Sequence, residues 1–202
     1  DLVGDVDGLR FLDIGCGSGL FSLVARRLGA TVHSFDFDPL SVGCARELKR
    51  RYFPDDPEWT VEEGSVLDRN YLEALGHFDV VYSWGVLHHS PNTPQAINEV
   101  LRVLRPGGTV QVMIYHRWSM TGYMLWLRYG LMAGRPWRSL TSIYATHLES
   151  PGTKAYTRTQ AREMFGGFSK VVVDIQLNHG DLLQGEVGQR HRGPLLRLAK
   201  LL

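Results

Sequence analysis

Two scarcities frame this 202-residue chain: it has almost no cysteine and no surplus of either charge. Cys16 and Cys44 are the only cysteines, too few for a disulfide framework or a thiolate metal site, so no metal is expected. A reduced, cytoplasmic setting is the expectation. With 22 basic and 21 acidic residues the formal net charge is +1. Nucleic-acid binding normally needs a concentrated basic face, so no such partner is expected. Long apolar runs are missing too. The most apolar stretch, residues 110–132, is interrupted by His116, Arg117 and Arg128, so no transmembrane segment is expected. No signal peptide, internal repeat or low-complexity tract is evident.

What the chain does have is 44% hydrophobic content, enough for one globular domain with a real core. Residues 10–14 form a short apolar run stopped by glycine, the pattern of a buried strand. Leu20, Leu23, Val24 and Leu28 have helical spacing, ended by Gly29. Residues 31–35 are β-branched and aromatic and predict a second strand. Asp38 caps, and Pro39 begins, a helix reaching about Arg51. Residues 59–63 and 78–83 predict two more strands, with a short helix over 70–75 between them. Thr93 and Pro94 open a helix through Leu104, Arg105-Pro106-Gly107-Gly108 predicts a turn, and residues 109–115 a fifth strand. This alternation predicts an α/β, Rossmann-like, doubly wound fold: a mostly parallel sheet with helices on both faces. After Tyr115 the rhythm breaks. Residues 118–132 read as a helix rich in Trp, Met and Tyr, 136–153 as irregular, 157–165 as helix, 169–177 as strand, and 180–202 as loop and helix.

The first strand runs into Asp13-Ile14-Gly15-Cys16-Gly17-Ser18-Gly19. Glycines at alternate positions let the backbone turn sharply and let a ligand approach. The following helix points free N–H groups at that ligand. A dinucleotide fingerprint is G-x-G-x-x-G, whereas here the third glycine comes one residue early and an acid precedes the first. No phosphate loop of the G-x-x-x-x-G-K-[ST] kind is present. The spacing suits a ligand carrying an amino-acid moiety rather than a pyrophosphate. Asp36 ends the second strand, where a carboxylate can accept ribose hydroxyls. Phe37 lies just beyond it, as an adenosine contact or as core.

This combination resembles the class I S-adenosylmethionine-dependent methyltransferases, especially the group with the ubiquinone-biosynthesis type of domain. The matching residues are Phe11-Leu12-Asp13-Ile14-Gly15-Cys16-Gly17-Ser18-Gly19, then Phe35-Asp36, Phe78-Asp79-Val80-Val81-Tyr82-Ser83, Val86-Leu87-His88-His89, and Leu101-Arg102-Val103-Leu104-Arg105-Pro106-Gly107-Gly108. The resemblance implies S-adenosyl-L-methionine as cofactor and S-adenosyl-L-homocysteine as product. It implies that Asp13, Gly15 and Gly17 hold the methionine end, Asp36 the ribose, and Ser65 and Val66 flank the adenine, with Cys16 and Gly19 as further cofactor contacts of the loop and Asp68 a weaker candidate. On that basis the domain divides into a cofactor-binding core over about 10–115, a substrate or lid insertion over about 116–156, and a closing helix, strand and tail over 157–202. Only about ten residues precede the first strand, so an N-terminal covering helix is expected to be missing, and the end at Leu202 reads as cut inside a helix.

For the acceptor side, Trp84 after the fourth strand is a candidate wall of the methyl site. His88 and His89 are candidate general bases, since imidazole titrates near neutral pH, or they order the loop. Tyr115, His116, Trp118 and Tyr123 are candidate substrate contacts; His147, Tyr156, His179 and Asp181 are weaker ones. Residues 118–132 are unusually apolar, as a core helix, a lid, a subunit interface or a membrane-surface contact. The expected partner is a small-molecule, lipophilic acceptor. The competing readings are an NAD-dependent oxidoreductase and a non-catalytic S-adenosylmethionine-binding module.

Overall fold

A computed structural model describes residues 4–176. The chain divides into two compact units, Asp1–Ile114 and Tyr115–Leu202. In the first, apolar runs bounded by glycine form the strands. These are β1 (Arg10–Ile14), β2 (Thr31–Asp36), β3 (Trp59–Glu63), β4 (Phe78–Trp84) and β5 (Leu104–Met113). Between them lie α1 (Leu20–Arg27), α2 (Pro39–Tyr52), α3 (Arg69–Leu75) and α4 (Thr93–Val103), with a 3-10 turn over Leu87–His89. The five strands are all parallel, in the order β3-β2-β1-β4-β5. Helices α1 and α2 pack together over β1, β2 and β3; α3 and α4 pack together, with α4 against β5. Right-handed crossovers to either side of β1 put the two helix pairs on opposite faces. The fold is therefore the doubly wound α/β architecture that the sequence predicts.

Helix ends follow local chemistry. Asp38 accepts hydrogen bonds from the backbone N–H of Leu40 (3.3 Å) and Ser41 (3.0 Å), and Pro39 supplies the first helical residue of α2. Asp68 accepts from Tyr71 N–H at 3.1 Å and caps α3, which explains that carboxylate without a ligand. On the α1–α2 side of the sheet, Phe11, Leu23, Ala25, Val32, Trp59, Val80 and Tyr82 form a buried cluster.

The expected turn at Arg105-Pro106-Gly107-Gly108 is instead built into β5. Phe78 pairs with Leu104 and Val80 with Thr109, so four residues of β5, 105–108, are set against one of β4, Asp79. A bulge of this size absorbs the proline, which cannot donate to the ladder. Asp79 anchors it, ion-paired to Arg105 and accepting from Arg10 N–H at 2.9 Å.

The second unit departs further from expectation. The helix predicted over 118–132 is α5 (Met120–Trp126) followed by a π-helical turn over Leu127–Leu131. Met132 N–H donates to Leu127 C=O at 2.9 Å and Arg135 N–H to Gly130 C=O at 2.8 Å, both five residues back. A Cβ on Gly130 would lie 3.1 Å from the Trp126 indole, so glycine there leaves that ring room to pack against the turn. The stretch predicted as irregular contains α6 (Leu140–His147), capped by Ser139. Its Thr, Ile and Tyr content hides it, because those residues favour strands. Helix α7 (Arg158–Met164) begins at Thr157 with a complete capping box to Gln160. Leu125, Ile143, Tyr144 and Ala155 form the buried centre of this unit. The strand predicted from residue 169 is not found over 169–176, where no strand is formed; Leu177 lies outside the described residues. β-branched residues make a strand only with a ladder partner. The weaker candidates His179 and Asp181 and the segment 180–202 also lie outside the described residues.

Candidate functional site

In a doubly wound sheet the ligand crevice opens where neighbouring strands send their chains to opposite faces. Here that point is between β1 and β4. Two loops leave its carboxyl edge: residues 15–19 after β1 and residues 85–90 after β4. They are tied at their roots, where Ser83 Oγ donates to Ile14 C=O at 3.1 Å. Gly15 and Cys16 donate their N–H groups to Phe35 C=O at 2.9 and 3.1 Å, which pins the first loop to β2.

Gly15, Gly17 and Gly19 all have positive φ, of 73°, 54° and 80°, so the alternation is demanded by the backbone. Their surroundings differ. A Cβ on Gly15 would meet Val86 at 2.5 Å, and one on Gly19 would meet Ala45 of α2 at 2.9 Å. One on Gly17 meets nothing within 4 Å. The outer two glycines therefore close loop against loop and helix against helix, and the central one faces open space. Gly19 supplies no side-chain cap to α1, and no acid stands in the first turn of that helix, so its leading N–H groups keep their capacity for a ligand.

Two carboxyl groups flank the loop. Asp36 is half-buried; Oδ2 accepts from Gly17 N–H and Oδ1 from Asp38 N–H, both at 2.9 Å. A carboxylate offers about four acceptor positions, so two remain. Asp13 is only 2% exposed. Burial pushes its pKa up to about 6, aided by the nearby Asp36 charge and opposed by a hydrogen bond from Ser22. That bond, Ser22 Oγ to Asp13 Oδ2 at 2.5 Å, ends a buried series. Trp59 Nε1–H donates to Ser34 Oγ at 2.9 Å, and Ser34 Oγ–H donates to Ser22 Oγ at 2.7 Å. The sequence reading missed Ser22, Ser34 and Trp59 as a group. Their one signal is a serine at two core-facing positions. Cys16 is buried and its thiol is pushed up to about 12, first by burial and then by Asp13 and Asp36, so it is no nucleophile at neutral pH.

The remaining expected residues are scattered in character. Phe37 is 82% exposed and is not core. Ser65 Oγ accepts from Leu67 N–H at 3.2 Å and shapes the loop after β3, with Val66 half-buried beside it. Trp84 stacks on Tyr82, with ring centres 5.8 Å apart and planes 6° from parallel, and Phe21 lies 6.1 Å from it. On the 3-10 turn His88 is fully buried and His89 half-buried, with ring centres 4.2 Å apart. In the second unit Tyr115 Oη donates to Glu149, and burial together with that carboxylate pushes its pKa up. His116 Nδ1 lies 2.8 Å from Trp118 C=O, and the Trp118 and Tyr123 side chains are exposed. His147 stacks on Tyr129, and Tyr156 exchanges backbone hydrogen bonds with Tyr115 and Arg117.

A parallel sheet with a glycine turn at its switch point, a buried carboxyl group before the turn and a second carboxylate ending β2 defines a nucleoside-binding α/β domain. Residues 12–112 match the methyltransferase-domain family, and the chain belongs to that family. A ubiquinone biosynthesis O-methyltransferase of Agrobacterium fabrum is 34% identical over 103 residues, which are 51% of this chain and 39% of that protein. The chain therefore spans less than half the length of the curated relatives it matches here. The crystal structure of an S-adenosylmethionine-dependent methyltransferase from Mesorhizobium loti is 27% identical, with a TM-score of 0.50 over 59% of this chain and 53% of that one. Magnesium protoporphyrin IX methyltransferase from Synechocystis, with bound S-adenosylhomocysteine, shares the fold at 17% identity, with a TM-score of 0.59 over 81% of this chain and 65% of that one. The cofactor of the class is S-adenosylmethionine.

Proposed function

We propose that this domain transfers a methyl group from S-adenosylmethionine to a small, lipophilic acceptor in the cytoplasm. The observation that carries the cofactor side is the open space at Gly17, flanked by two glycines that are sealed. We assign the methionine end to Asp13, Gly15, Cys16, Gly17 and Gly19. An ammonium group brought to Asp13 offsets the cost of ionising a buried carboxyl, and α1 offers N–H donors to a carboxylate. Asp36 is assigned to the ribose, because its remaining acceptor positions suit two hydroxyl donors. Phe37 offers an exposed ring at the adenosine edge, Ser65 and Val66 flank the adenine, and Trp84 walls the methyl site.

When bound, the sulfonium supplies an electrophilic methyl group and leaves as a neutral thioether. The residues of this chain have to hold that group in line with the acceptor and keep water away. Alignment alone supplies about 7–11 kcal/mol of barrier lowering in oriented reactions. Where the acceptor carries a proton, His89 is the candidate base, half-buried on the turn after β4; His88, wholly enclosed, orders that turn. On sequence grounds we add Tyr115, His116, Trp118 and Tyr123 as acceptor-side candidates. A small acceptor is favoured by relatives named for ubiquinone biosynthesis and by the balanced charge.

Calorimetry with S-adenosylmethionine, S-adenosylhomocysteine and NAD tests the cofactor. Binding of the two sulfur ligands with no NAD response is expected. Tight NAD binding without either sulfur ligand overturns the proposal. Product S-adenosylhomocysteine assayed across quinol, phenol and RNA acceptors then tests the acceptor class, and turnover confined to RNA contradicts it.

A further inference from the structure

The second unit has a surface that the cofactor chemistry does not use. Large apolar side chains are normally scattered singly on a protein surface, and a concentration of them marks an interaction site. Helix α5 turns Gly122, Met124 and Leu125 inward and leaves Met120 and Tyr123 exposed. The segment continues with exposed Leu131 and Met132, and Trp137 is 79% exposed. Trp118, at 67%, precedes α5. Six large apolar side chains are thus exposed within residues 118–137.

The charge of this segment is equally uneven. No Asp or Glu occurs from Val100 to Leu148, while Arg117, Arg128, Arg135 and Arg138 fall within or beside the apolar stretch. Arg135 is exposed between Met132 and Trp137. Trp and Tyr are amphipathic and suit the boundary between hydrocarbon and water, and arginine stems lie along apolar surface while their heads reach phosphate. No described helix is long and apolar enough to cross a bilayer, so a contact here is with its surface.

We propose that the segment 118–138 docks on the anionic surface of a lipid bilayer, with Leu131, Met132 and Trp137 entering the headgroup boundary and Arg135 meeting lipid phosphates. Charge decides between occupants. A second copy of this chain related by a twofold axis would set the exposed Arg128 and Arg135 against their own copies, with no acid between Val100 and Leu148 to answer them. A nucleic acid would meet the arginines and leave the methionines and leucine unburied. An anionic bilayer takes both components, as it does for interfacial helices.

The test is co-flotation of the whole protein with phosphatidylcholine vesicles, with and without phosphatidylglycerol. Binding to the anionic vesicles is expected, and it should weaken as salt rises. Arg135→Glu should lower the partition coefficient at least ~5-fold, and Trp137→Ala about tenfold, from the usual worth of one basic residue and one buried large side chain. Both variants should keep the wild-type melting temperature, which separates docking from folding. No preference for anionic vesicles, or wild-type partitioning by both variants, overturns the proposal. So does a concentration-dependent dimer that Trp137→Ala abolishes, or tighter binding to duplex DNA than to the anionic vesicles.

Discussion

Asp36 and Asp38 are two residues apart, yet their side chains face different tasks. Asp38 is committed to α2 through Leu40, Ser41 N–H and Ser41 Oγ, while Asp36 holds Gly17 and keeps acceptor capacity. Asp36→Ala should weaken S-adenosylmethionine binding by about 1.5–3 kcal/mol, the worth of a hydrogen bond to a charged group. Asp38→Ala should leave that dissociation constant near wild type and lower the denaturant midpoint, as loss of a helix cap does. Calorimetry and denaturant melts on the pair check both halves; equal loss of affinity in the two would remove Asp36 from the site. Asp13 carries a pH prediction. Its folded pKa of about 6 stands above the ordinary 3.8, so the folded state binds more protons between those values. Stability therefore falls as pH rises through that window, by about 3 kcal/mol in all. Asp13→Asn, which keeps an oxygen for Ser22, should be the more stable protein above pH ~6 and should bind the cofactor less well. Melting temperatures at about pH 4.5 and 7.5 measure the first effect, and an unchanged pH slope in the variant contradicts it. The glycine loop and Asp36 were legible in the sequence because positive φ and a strand-end acid leave a fixed spacing. The Trp59–Ser34–Ser22 series was not, because its members lie on three elements and meet only when the sheet forms.

At the scale of elements, β1 to β4 and α1 to α4 were legible because glycine, proline and capping aspartate bound each of them. The failures share one cause: a local signal that tertiary pairing overrode. Arg105-Pro106-Gly107-Gly108 has the composition of a turn, but β4 on one side and the Asp79 ion pair hold it in the sheet as a bulge. A Cβ on Gly108 would lie 2.8 Å from Asp79 C=O and from Leu104 Cδ1. Gly108→Ala should therefore cost about 1–3 kcal/mol by overpacking, read as a lower urea midpoint with an unchanged m value. A neutral Gly108→Ala would mean that the bulge is loose. Residues 171–173 fail in the other direction: three consecutive valines, and no ladder partner over 169–176. Helix α6 was hidden by its β-branched residues and is recognisable in retrospect from Ser139 at its cap.

At the scale of the whole molecule, ligand binding should report on the fold. A ligand at a hundred times its dissociation constant stabilises by about 2.7 kcal/mol. Thermal melts of the intact chain should shift upward with S-adenosylmethionine or S-adenosylhomocysteine at that excess, and NAD at the same concentration should leave them in place. The shift should be lost at equal concentration in Asp36→Ala. A full shift with that variant would mean that the stabilising ligand binds elsewhere. Composition alone could not reveal the vesicle-binding surface proposed for residues 118–138, because a net charge of +1 averages an acid-free stretch of 49 residues with acidic neighbours.

The buried series from Trp59 to Asp13 has an optical consequence. All three of its hydrogen bonds point toward the carboxyl group, and the indole of Trp59 is wholly enclosed. Such a series polarises along its length when its terminal charge changes. Trp59 is one of five tryptophans, and its enclosure keeps solvent from broadening its emission. Its fluorescence should then respond to the charge on Asp13, read as an emission change on titration through about pH 6 that Asp13→Asn abolishes, and the same signal should move when a cation settles against that carboxylate.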